Sequence, residues 1–218
     1  MIDGPRIPPA YGGPAKSLIV FLHGYGADGN DLIDLGRQFA PILPETAFVS
    51  PDAPEDCAEA PNGRQWFPLA HGDPQRLYAG VSSAAAGLDA FLDAELARHD
   101  LNDAELALVG FSQGTMMALH VGPRRKSQIA GIVGYSGLLA GPEHLVNEMK
   151  STPPVLLVHG DADPLIPAMA LNAAARTLGE AGFSVESHLR PGLQHGIDME
   201  GLKLGVEFLT RALHFEVD

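Results

Sequence analysis

Short, uninterrupted apolar runs recur along this chain, each closed by a glycine-rich or polar turn and followed by a stretch of helical periodicity. Leu18–Leu22 (LIVFL) is the clearest. A run that does not alternate with polar residues predicts a strand buried on both faces. Ala47–Ser50, Leu106–Val109, Ile129–Val133 and Val155–Val158 are read as further strands, as is the more polar Val185–Leu189. Between them, helices are predicted over Asp31–Ala40, Val81–Arg98, Gln113–Val121, Glu143–Lys150, Ala168–Ala181 and Leu202–His214. In the second of these, Leu88, Phe91, Leu92 and Leu96 fall on one face. Strand and helix in this rhythm predict an α/β fold. Its sheet is mostly parallel and twisted, with crossover helices on both faces. No repeat or long linker divides the 218 residues, so one domain is expected. Sheets of this kind carry their sites at the carboxyl ends of the strands. The residues just beyond each strand are therefore the informative part of the sequence.

Composition narrows the partners. The net charge is −13, spread along the chain. Such a surface repels phosphate backbones and anionic membranes, so neither nucleic acid nor stable membrane association is expected. Cys57 is the single cysteine, which excludes an internal disulfide and fits a reducing compartment. Met1–Lys16 is rich in Pro and Gly and has neither the basic start nor the apolar core of a signal peptide. A soluble, cytoplasmic protein is the expectation. Residues 51–79 form a long segment rich in Pro and Gly, read as a functional or mobile loop.

After Leu106–Val109 comes Gly110-Phe111-Ser112-Gln113-Gly114, a G-x-S-x-G element between a strand and a helix. A serine on so sharp a turn presents its hydroxyl above the sheet, with a helix N-terminus behind it to receive developing negative charge. The competing reading makes Ser112 a simple helix cap. After Val155–Val158 come Asp161 and Asp163, either of which can orient a histidine, while the other caps the turn. After Val185–Leu189, Pro191-Gly192-Leu193-Gln194-His195-Gly196 opens a loop that carries His195, a candidate general base. The chain has 9 histidines. His188 within a strand and His214 at a helix end read as structural, and His71, His99, His120 and His144 have no motif around them. After Leu18–Leu22, His23-Gly24-Tyr25-Gly26-Ala27-Asp28-Gly29 can supply a backbone N–H to an oxyanion hole, with Gln113 N–H as its companion. A phosphate loop is the weaker reading, because G-K-[ST] and G-x-G-x-x-G are both missing.

Taken together, HGYGADG, GFSQGT, HGDADPLIP and PGLQHGI resemble the phospholipase/carboxylesterase family of the α/β-hydrolase fold. That family includes acyl-protein thioesterases and small bacterial carboxylesterases. Arg64-Gln65-Trp66-Phe67 resembles its Trp-Phe element, and the likeness runs from about Lys16 to the last helix. The resemblance implies Ser112 as nucleophile, Asp163 rather than Asp161 as the acid, His195 as the base, and Tyr25 and Gln113 as the oxyanion-hole donors. It implies a serine carboxylesterase acting on small-molecule esters or thioesters through an acyl-enzyme, without metal or cofactor. Lysophospholipase or thioesterase activity is the alternative within the family, and a non-ester hydrolase or a binding protein on the same fold is the alternative outside it. A homodimer is compatible with it. Two positions depart from the pattern: Thr115 stands where the family usually has Gly, and Pro68 where many members have Asp. No cysteine near the N-terminus offers the lipid anchor that some members carry. Trp66, Phe67, Leu77 and Tyr78, in the long segment, are expected either to line an acyl pocket or to anchor the loop.

Overall fold

A computed structural model describes residues 2–69 and 72–213, so His71 and His214 lie outside the described residues. The strands are β1 (Arg6–Ile7), β2 (Ser17–Leu22), β3 (Thr46–Val49), β4 (Glu55–Asp56), β5 (Arg64–Gln65), β6 (Leu106–Phe111), β7 (Gly131–Tyr135), β8 (Val155–Gly160) and β9 (Val185–Arg190). The helices are α1 (Gly29–Phe39), α2 (Pro74–His99), α3 (Gln113–Val121), α4 (Leu145–Glu148), α5 (Met169–Glu180) and α6 (Met199–Ala212).

Seven strands form one sheet in the order β1-β3-β2-β6-β7-β8-β9. All neighbours are parallel except the edge pair of β1 with β3. The central runs are apolar throughout because the sheet is covered twice. Leu18, Val20 and Leu22 pack into a core shared with α2, α3 and α5, while Ile19 and Phe21 turn to the opposite core with α1 and α6. Among the described residues, no helix is long and apolar enough to cross a membrane.

The structure departs from the sequence reading mainly in the first 80 residues. The Pro/Gly-rich N-terminal segment contributes β1, whose Arg6 donates two hydrogen bonds to the buried Glu95 of α2, at 2.9 and 2.7 Å. The long segment is shorter as a loop than expected. It contains the small β4–β5 hairpin, and α2 begins at Pro74, not at Val81. Asp73 caps this helix by accepting from Gln75 N and Arg76 N, and Pro74 occupies its first turn. Proline breaks a helix only in its interior; at the first position its missing N–H costs nothing. The segment Glu143–Lys150 contains only a 3-10 turn, Pro142–His144, and the single helical turn of α4.

Candidate active site

Ser112 follows β6 directly and precedes α3 directly. It adopts φ 54° and ψ −113°, a left-handed φ that costs a non-glycine residue about 1–3 kcal/mol. Close packing enforces this turn. A Cβ on Gly110 would lie 2.5 Å from the Gly114 backbone, and one on Gly114 would lie 1.8 Å from Leu22 O. Only glycines let β6, α3 and the end of β2 approach so closely. Ser112 N donates to Tyr135 O at 2.9 Å, tying the turn to β7. Although Ser112 holds the N-cap position, its side chain makes no capping hydrogen bond. The simple-cap reading therefore fails.

Asp163 and His195 meet above β8. His195 Nδ1 donates to Asp163 Oδ2 at 2.7 Å, and the carboxylate side chain has no exposed surface. Asp163 Oδ1 accepts from Leu165 N at 2.8 Å and Ile166 N at 3.0 Å. Burial pushes the Asp163 carboxyl upward, but the N–H of Ile166, the His195 ring and the N–H of Leu165 outweigh it and hold the pKa below the usual value. The buried His159 presents Nε2 to two acceptors, Ile166 O at 2.9 Å and Asp163 Oδ2 at 3.3 Å, so that nitrogen carries the hydrogen. Asp161 has a different role. Its Oδ1 accepts from Gly192 N at 2.6 Å and fastens the histidine loop. The His195 ring centre lies 5.0 Å from that of Phe111, the residue before Ser112. Ser136 Oγ donates to Gly196 O at 3.2 Å, a second link between the serine side of the site and the histidine loop.

The loop after β2 lies against the same turn. A Cβ on Gly24 would sit 3.3 Å from Ser112 Cβ, so Tyr25 follows a residue in contact with the serine. The neighbouring Cys57 thiol, itself buried at 6 % exposure, is the main cause that pushes the pKa of the Tyr25 phenol up to about 12. Behind the loop, His23 is buried and neutral. Desolvation lowers its pKa, Nδ1–H donates to Gly24 O at 2.7 Å, and Nε2 accepts from Ala53 N at 3.0 Å. Gln113 is at the first turn of α3, where backbone N–H groups have no helical partner.

Of the two roles considered for Trp66, Phe67, Leu77 and Tyr78, the contacts seen here are those of anchors. Trp66 and Phe67 are 1 % and 0 % exposed and present no free surface to an acyl chain. They are anchors: Trp66 N donates to Gln113 Oε1 at 3.0 Å, Gln113 Nε2 donates to Phe67 O at 2.8 Å, and Trp66 Nε1 donates to His23 O at 3.0 Å. The amide of Gln113 thus clamps the long segment to the residue beside Ser112. Leu77 and Tyr78 belong to the first turns of α2, not to a loop. Leu77 packs on the core, and Tyr78 stacks on His144 with ring centres 3.9 Å apart while its hydroxyl bonds Glu148. The roles of the Gln113 side chain and of His23 Nε2 escape a sequence reading because their partners, Trp66, Phe67 and Ala53, lie 30 or more positions away; the partners of His159, Asp163 and Ile166, are near in the chain, but which of its ring nitrogens faces them is set only by the turn. Only their positions beside the recognised motifs draw attention to them.

The sequence profile of the phospholipase/carboxylesterase family matches residues 9–213. The chain belongs to this family. It is 26 % identical to the esterase YpfH of Escherichia coli over 90 % of this chain and 83 % of that one. It is 27 % identical to acyl-protein thioesterase 1 of Kluyveromyces lactis over 92 % and 93 %. The crystal structure of esterase PE8 superposes with a TM-score of 0.94 at 42 % identity, covering 97 % of this chain and 99 % of that one. Membership makes the protein an α/β-hydrolase of the carboxylesterase type.

Proposed function

We propose that the protein hydrolyses carboxylic esters of small to medium acyl chains through Ser112, His195 and Asp163. The reading rests above all on Ser112, held in a strained turn at the end of a central strand with its hydroxyl unused by the helix it begins. His195 Nε2 accepts the Ser112 proton as Oγ attacks the acyl carbon. Asp163 fixes Nδ1 as the protonated nitrogen and stabilises the imidazolium. The N–H groups of Gln113 and Tyr25 receive the negative charge on the carbonyl oxygen. His195 then passes its proton to the departing alkoxide, and the alcohol leaves. Water, deprotonated by His195, releases the acid and restores Ser112. The substrate is a small-molecule ester, no cofactor takes part, and the cytoplasm is the setting we assign to it. Thioesters enter as a second class because the Kluyveromyces lactis relative is named an acyl-protein thioesterase.

The test is hydrolysis of p-nitrophenyl esters from acetate to palmitate, and of the matching acyl thioesters, by wild type and Ser112→Ala. The variant should lose roughly 10,000-fold or more in turnover with an unchanged melting temperature. The chain-length optimum sizes the acyl site, and the ester-to-thioester ratio ranks the two classes. Equal turnover in both proteins would remove Ser112 from the chemistry.

A further inference from the structure

Thr115, where the family usually has glycine, is almost fully buried beneath the serine turn. Its Oγ1 lies 2.8 Å from Gly110 O and 2.9 Å from Tyr135 O, so its one hydrogen is shared between the ends of β6 and β7. These strands are in register there, with Phe111 opposite Tyr135. The Thr115 side chain fills space left by two glycines of the neighbouring segment. A Cβ on Gly134 would lie 2.6 Å from Thr115 Cγ2, and one on Gly137 would lie 2.3 Å from Thr115 Cβ. Threonine is therefore a fitted part of this site.

The segment it holds touches both halves of the active site. Tyr135 O accepts from Ser112 N at 2.9 Å. The next residue, Ser136, has φ 46° and donates through Oγ to Gly196 O, beside His195, at 3.2 Å. Ser136 N donates to Val158 O at 2.9 Å, which fastens the same tip to β8. The end of β7 is thus a backbone brace between the nucleophile turn and the histidine loop.

We propose that Thr115 is a positioning residue whose hydroxyl pins this brace, setting the serine turn and the histidine loop in one register. The inference rests on Ser112 and His195 acting as proposed above. A filler role predicts that any side chain of the same shape suffices. A positioning role predicts that the hydroxyl is needed, and that its loss slows chemistry without weakening substrate binding, because Thr115 is beneath the site.

The experiment compares Thr115→Val, which keeps the shape and removes the hydroxyl, with Thr115→Ser, which keeps the hydroxyl. Steady-state hydrolysis of p-nitrophenyl acetate is normalised to sites titrated with a fluorophosphonate. In Thr115→Val, kcat per titrated site should fall roughly tenfold with KM within about twofold of wild type, while Thr115→Ser should recover kcat to within about twofold. Should Thr115→Val not fold, Thr115→Ala supplies the variant without a hydroxyl. An unchanged kcat in the hydroxyl-free variant, or a Thr115→Ser protein equally slow, overturns the inference while leaving Ser112 as nucleophile. Turnover that survives in Ser112→Ala removes the underlying reading, and the inference falls with it.

Discussion

The two sides of the active site are built by different physics. The serine turn is made by steric exclusion: β6, α3 and the end of β2 close on Gly110 and Gly114 until no Cβ can enter. Gly110, Gln113, Gly114 and Leu22 beside it are buried, and the positive φ of Ser112 is over-determined by its surroundings. The histidine loop, residues 191–198, is at least partly exposed along its whole length. Polar bonds hold it: Asp163 to the His195 ring, Asp161 to Gly192 N, Ser136 to Gly196 O, and Arg190 to Asp198. The difference suits the roles proposed for Ser112 and His195: a nucleophile must be aimed and then stay still, which close packing achieves. A base must deliver a proton to more than one oxygen, which a loop fastened at a few polar points allows. The bottom of the loop is constrained as well, since a Cβ on Gly160 would meet Leu193 O at 2.1 Å. Packing thus limits where the loop sits, while hydrogen bonds decide how its ring is turned.

That contrast can be broken by substitution. The largest effect should come from Asp163→Asn, with a loss of roughly 10,000-fold in kcat/KM, because the wrong tautomer of His195 is then favoured. Asp161→Asn keeps an acceptor for Gly192 N and should cost less than about tenfold. Ester hydrolysis by the two purified variants checks this; equal losses would mean that the loop as a whole, not the ring's partner, carries the effect. Next comes Gly114→Ala, which brings a methyl group against Leu22 O. It should destabilise the protein by about 3 kcal/mol or more, read by thermal unfolding. A stable, active Gly114→Ala protein would show that the turn is held by something other than packing. The smallest effect should come from Gly192→Ala in the histidine loop. Gly192 has φ +71° and open space where a Cβ would go, so the cost is that of backbone conformation alone, about 1 kcal/mol. Its kcat/KM should stay within about threefold of wild type. A large loss of activity there would mean that the loop's backbone conformation is as exacting as the serine turn.

Much of the architecture is legible in the chain itself. Continuous apolar runs cannot be half-exposed strands, and their alternation with helical stretches leaves little besides a doubly covered parallel sheet. G-x-S-x-G between strand and helix, and HGYGADG after β2, mark the strand ends where chemistry is possible. The start of α2 is obscured because Asp73-Pro74 has the composition of a turn, yet it also caps a helix, and burial of Val81, Ala84 and Leu88 selects the helical outcome. The short strands β1, β4 and β5 carry no periodic signal, because two residues are too few to show one.

By itself, the sequence determined the fold class and the candidate groups at the strand ends, since local periodicity and turn chemistry are properties of neighbouring residues. Family likeness chose Asp163 over Asp161, a choice that spacing left open. Tertiary structure alone decided where the side chains point. It withdrew Trp66 and Phe67 into the core, put the Gln113 amide between two distant backbone groups, and placed Thr115 under the brace at the end of β7. A hydrogen bond between residues 20 or 47 positions apart leaves no mark on either stretch of sequence. It exists only after the strands have paired and the chain's remote segments have been brought within about 3 Å of one another.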